Sequence, residues 1–106
     1  MKEIKNIKEF AELIREDKPV LVDFYADWCG PCQVMLPILD DLSRKRQGDV
    51  VIAKVNVDQN QELARQFNVR SIPSLFFIKG KEVVEHLNGV QTPVILEQKI
   101  DALSAA

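Results

Sequence analysis

The sequence contains two cysteines, three positions apart in Trp28-Cys29-Gly30-Pro31-Cys32, and the only tryptophan adjoins them. An apolar run from Pro19 to Ala26 precedes the motif and reads as a buried strand, and an amphipathic helical pattern opens within it. Cys-x-x-Cys at a strand-to-helix turn is a redox arrangement. Amides in the first turn of a helix carry partial positive charge and favour a thiolate on the first cysteine, which makes Cys29 the candidate nucleophile. Cys32, one helical step on, can attack a mixed disulfide formed at Cys29. The chemistry implied is disulfide exchange.

Three other readings compete. A structural zinc site takes about four ligands, and this chain offers two cysteines and one histidine, His86. A purely structural disulfide would close a very short loop, where the chain-entropy gain is smallest. Two inert core cysteines at chance spacing form the third alternative.

The motif must be held by the elements around it. Ile4 and its neighbours can form a first strand, and Asn6 with Glu9 provides an N-cap with an acidic residue three positions later. Ile7, Phe10, Ala11 and Ile14 then fall on one helical face, with Pro19 just beyond the end of that helix. Val20 to Ala26 suits a central strand covered on both faces, in which Asp23 is the anomaly. After the cysteines, Val34, Met35, Ile38, Leu39 and Leu42 recur at helical spacing, Pro37 interrupts them with an expected kink, and Gly48 is the stop. Val50 to Val57 reads as a strand containing Lys54, and Leu63, Ala64 and Phe67 mark a short helix. Leu75 to Ile78 and Val83 to Leu87 form a predicted hairpin across Lys79-Gly80-Lys81. Thr92-Pro93 caps a last helix with Leu96, Ile100 and Leu103 on its buried face. The order βαβαβαββα implies an α/β fold, a mixed sheet with helices on both faces.

With 106 residues, 46% of them hydrophobic and 28% charged, the chain is expected to form a single domain over 1–106. A net charge of −2 supplies no basic stripe for nucleic acid, and there is no apolar run long enough to span a membrane. The N-terminus begins with charges and lacks the apolar core of a signal peptide, which points to the cytoplasm. A Cys pair there is ordinarily kept reduced, so the motif is expected to be catalytic.

Val22-Asp23-Phe24-Tyr25-Ala26-Asp27-Trp28-Cys29-Gly30-Pro31-Cys32 resembles, without a gap, the active-site block of the thioredoxin family, and the likeness extends over nearly the whole chain. It matches Pro37 to the family's helix kink, Lys54 to its buried lysine, Ile72-Pro73 to its cis-proline loop and Gly89 to its groove glycine. It implies that Asp23 relays a proton to Cys32. The alternative for Asp23 is a carboxylate at the sheet edge or paired with Lys54, and for Lys54 an ordinary solvated lysine at a strand end. The resemblance also implies a flat docking patch of Trp28, Gly30, Pro31, Ile72, Pro73, Gly89 and Val90 around the Cys29 sulfur, against which stands a core tryptophan. Gln33 and Ser71 depart from the usual basic residue and glycine, and Lys79-Gly80-Lys81 shifts the hairpin glycine. His86 is expected on the surface.

The resemblance therefore implies a cytoplasmic electron carrier that reduces protein disulfides, is recycled by a thioredoxin reductase drawing on NADPH, and itself binds no cofactor or metal. A monomer is expected. The alternatives are an oxidase or isomerase on the same fold, and a structural or regulatory subunit that docks through the same patch without thiol chemistry.

Overall fold

The computed structural model describes residues 1–105 of the chain. The elements run β1 (Lys2–Glu3), α1 (Ile7–Arg15), β2 (Val20–Tyr25), α2 (Gly30–Lys45), β3 (Val51–Asn56), α3 (Gln61–Gln66), β4 (Ser74–Lys79), β5 (Glu82–Asn88) and α4 (Pro93–Ala105). The strands form one mixed sheet in the order β1-β3-β2-β4-β5, parallel at β1–β3 and β3–β2 and antiparallel at β2–β4 and β4–β5. This is the α/β architecture expected from the sequence, with β2, which leads into the cysteines, in the centre.

Side chains alternate across a strand, and each face of the sheet carries its own core. Leu21, Ile52, Leu75 and Phe77 meet Met35, Leu39 and Leu42 of α2 and Leu96, Ile100 and Leu103 of α4. On the other face Val20, Val22, Phe24, Phe76 and Ile78 pack with Phe10 of α1 and Leu63 of α3. Asp23 shares the parity of Leu21 and Tyr25 and so belongs to the face that α2 covers.

Local chemistry explains the element ends. Asn6 caps α1 by accepting the Glu9 amide at 2.8 Å, and the Glu9 carboxylate accepts the Lys5 amide at 2.8 Å. The Thr92 hydroxyl accepts the Ile95 amide at 3.2 Å, with Pro93 opening α4. Gly80 and Lys81 both have positive φ, 61° and 67°, the backbone of a tight hairpin whose twist matches its strands. Pro37 lies inside α2, on its exposed side, where water can serve the carbonyl that loses its partner.

Two expected helical faces are rotated. In α1 the core receives Phe10, Leu13 and Ile14, whereas Ile7 and Ala11 are exposed. In α2 the buried row is Met35, Leu39 and Leu42, and Val34 points outward.

Candidate active site

β2 ends at Tyr25, and a turn closed by the Cys29 amide on the Ala26 carbonyl at 3.2 Å carries the chain into α2. Cys29 is the N-cap of that helix, and its Sγ accepts the Cys32 amide at 3.3 Å. Proline in the first turn suits a helix start, because the amide it lacks would have had no partner there. Cys29 and Cys32 are joined as a disulfide with Cα atoms 5.2 Å apart. They differ in access: Cys29 retains 5% exposure and Cys32 none.

Around Cys29 the structure assembles a rim from three distant segments. The Cys29 sulfur lies 3.8 Å from the Ile72 carbonyl, and the Ile72–Pro73 peptide bond is cis. The Gly89 amide donates to the Pro73 carbonyl at 2.9 Å, with Gly89 at φ 82°, and the Gln91 amide reaches Met35 Sδ at 3.3 Å, which ties the 89–91 turn to α2. Val90 and Trp28 are exposed on this rim together with Gly30 and Pro31. Trp28 is 72% exposed, so it is not a core residue. Its indole N–H donates to Asp58 Oδ2 at 2.8 Å, and the Asp58 amide donates to Asn56 Oδ1 at 2.9 Å. Asp58 carries no motif; only the fold brings it beside a residue thirty positions earlier. Gln33, where a cation is usual, instead spends its amide on the Ala26 and Asp27 carbonyls, 3.4 Å from each.

Asp23 is fully buried in β2, and neither carboxylate oxygen has a hydrogen-bond partner. Its register partner on β3 is Lys54. Lys54 is half-buried, its Nζ standing 5.4 Å from the centre of the Tyr25 ring, and no ion pair closes on Asp23. Neither a sheet-edge carboxylate nor a closed Asp23–Lys54 pair is therefore what the fold contains. Desolvation lifts the Asp23 pKa from 3.8 to about 8, with the Lys54 charge pulling the other way. Tyr25, whose hydroxyl donates to Glu3 at 2.9 Å, is pushed up to about 12, first by burial and then by that carboxylate.

Among the described residues no group of three or more His, Cys, Asp or Glu is placed to hold a metal ion, and no helix is long and apolar enough to cross a membrane. A Cys-x-x-Cys disulfide at the start of the helix that follows the central strand of a mixed sheet, its first cysteine slightly exposed and its second fully buried, defines a thiol-disulfide oxidoreductase. The thioredoxin family model matches residues 2–102. A thioredoxin of Chlorobaculum thiosulfatiphilum is 43% identical over 85% of this chain and 83% of its own length. A bifunctional thioredoxin reductase/thioredoxin of Mycobacterium leprae is 38% identical over 84% of this chain, a stretch that makes up 19% of that protein. The solved structure of a thioredoxin variant from Halobacterium salinarum superposes with a TM-score of 0.90 at 36% identity, covering 97% of this chain and 89% of that one. The chain belongs to the thioredoxin family.

Proposed function

We propose that this oxidoreductase reduces protein disulfides with Cys29 as attacking thiolate and Cys32 as resolving thiol. The Cys29 thiolate attacks one sulfur of the substrate disulfide, forming a mixed disulfide and releasing one substrate thiolate, which takes up a proton. Cys32, deprotonated with Asp23 as the proton acceptor, then attacks Cys29 Sγ. The second substrate thiolate leaves and is protonated, and the two electrons that reduced the substrate have come from the dithiol, which is left oxidised as the Cys29–Cys32 disulfide. The observation that carries this order of attack is the difference in access, since a fully buried Cys32 can meet the substrate only indirectly, by attacking Cys29 Sγ once that sulfur carries it. Amide donation to the Cys29 sulfur supports the same order, because it favours the thiolate there.

In this reading Lys54 tunes Asp23, and Trp28, Gly30, Pro31, Ile72, Pro73, Gly89 and Val90 form the patch on which an extended substrate segment lies. The chain works as one domain, a monomer and a cytoplasmic electron carrier. A Cα radius of gyration of 12.4 Å supports the domain reading, being close to the ~13 Å of a domain of about 100 residues. A thioredoxin reductase drawing on NADPH returns the disulfide to the dithiol; the M. leprae relative, which by name joins the two activities, supports that partnership. The chain itself takes no cofactor beyond its own disulfide. The test is limited alkylation of the reduced protein near neutral pH. Peptide mapping is expected to find Cys29 modified about tenfold or more ahead of Cys32, and equal labelling would reject the assignment.

A further inference from the structure

β4 and β5 pair so that Ser74 faces Asn88 and Phe76 faces His86, which places all four side chains on one side of the hairpin. Ser74 is 1% exposed, and its hydroxyl therefore needs partners from the protein. It finds His86 Nε2 at 2.7 Å and Asn88 Oδ1 at 3.3 Å, and Asn88 Oδ1 also accepts the Ser71 hydroxyl at 3.4 Å. The His86 imidazole lies flat on Phe76, ring centres 4.0 Å apart and planes 9° from parallel, which fixes the ring and the direction of its Nε2. One proton arrangement satisfies every member: Nε2–H donates to Ser74, Ser74 donates to Asn88, and Ser71 donates to the same amide oxygen.

The residues so joined flank the docking rim. Ser71 and Ser74 bracket Ile72-Pro73, and Asn88 precedes Gly89, whose amide holds the Pro73 carbonyl. The Asn88 carbonyl also accepts the Gln91 side chain at 3.0 Å. We infer that His86, through its hydrogen bond to the buried Ser74 hydroxyl, is a positioning residue that holds the Ile72-Pro73 loop in register with the 88–91 turn for protein substrates. The inference rests on the reading of that loop as the docking edge. It asks nothing of His86 in proton transfer, since the ring bears on the site only by way of the loop.

The test compares two substrates in a reductase-coupled assay: a protein disulfide, which must lie across the rim, and a small-molecule disulfide such as DTNB, which need not. For His86→Ala the ratio of protein to small-disulfide kcat/KM is expected to fall about 3- to 10-fold, the worth of one net hydrogen bond, with the loss in KM rather than kcat. Ser74→Ala should fall likewise. The double variant should fall no further, because the two act through one bond. His86→Gln, which can present an N–H at a similar reach, should recover most of the ratio. Pro73→Ala is the control for the docking edge. If Pro73→Ala lowers the ratio and His86→Ala does not, the role of His86 is overturned and the docking edge stands. If neither lowers it, the docking edge falls and the inference with it. A proportional loss on both substrates, or failure of His86→Gln to recover, assigns His86 to general stability and overturns the inference.

Discussion

At the scale of single residues, Asp23 is the place where stability and chemistry conflict. An ionised carboxylate with no hydrogen-bond partner inside a sheet is costly, so most folded molecules keep the proton until the pH approaches about 8, and the smaller ionised fraction near neutral pH is the form that can accept the Cys32 proton. Between the ordinary carboxylate value of 3.8 and about 8 the folded state holds more protons than the unfolded chain. The contribution of Asp23 is thus fully present below pH 4, declines as pH rises across that interval, and is lost above it, with a slope of at most about 1.4 kcal/mol per pH unit. Asp23→Asn is expected to remove this slope and to be the more stable protein above pH 8, as denaturant titrations at several pH values would reveal. It should also slow disulfide reduction, by up to about 100-fold if the carboxylate accepts the Cys32 proton. An unchanged rate would remove Asp23 from the mechanism. Lys54 lowers the Asp23 pKa through its charge, so Lys54→Met should move the declining limb of the stability curve to higher pH. A limb that stays in place would mean that the lysine charge does not reach the carboxylate.

At the scale of elements, the hairpin between β4 and β5 carries a local conflict of its own. Lys81 adopts φ 67°, a left-handed backbone that a side chain disfavours. Lys81→Gly is expected to raise stability by about 0.5–1 kcal/mol, a shift readable in thermal unfolding; a loss would mean that the Lys81 side chain makes contacts that outweigh its backbone strain. The elements themselves were legible in the sequence because their end signals are chemical: Asn6 with Glu9, Thr92 with Pro93, and the glycines of turns. Which face each helix buries was less legible. In α1, Phe10 and Ile14 are common to two overlapping stripes, one through Ile7 and Ala11 and one through Leu13, and only the position of the sheet selects the second. In α2, Val34-Met35-Leu36 is continuously apolar, so periodicity cannot rank them. The fold buries Met35 against the sheet, packs Leu36 against the cysteines and leaves Val34 outside. Asp58 and the His86–Ser74 bond were invisible for a different reason, since they join residues 30 and 12 positions apart that no local pattern connects.

At the scale of the whole molecule, the sheet is divided into two cores, and the cysteines stand just beyond the end of its central strand, beside the exposed Trp28. Trp28 at 72% and Val90 at 48% exposure are the apolar side chains that the proposed patch would offer a partner. On the proposed docking reading, such a site would bind many extended segments weakly and keep a partner only by the covalent bond to Cys29, until Cys32 breaks it. Removing the resolving thiol should therefore turn a transient encounter into a stable one. A Cys32→Ser variant exposed to a cell extract is expected to accumulate protein adducts that appear on a non-reducing gel and vanish with dithiothreitol, each joined through Cys29. Cys29→Ser should trap far less, because the remaining sulfur is sealed beneath the helix start. Adding Pro73→Ala to the trapping variant should reduce the yield, since the loop that places the substrate disulfide beside Cys29 is altered. Adducts on Cys29→Ser but not on Cys32→Ser would reverse the roles of the two sulfurs. Equal yields with and without Pro73 would mean that partners reach Cys29 without using the loop.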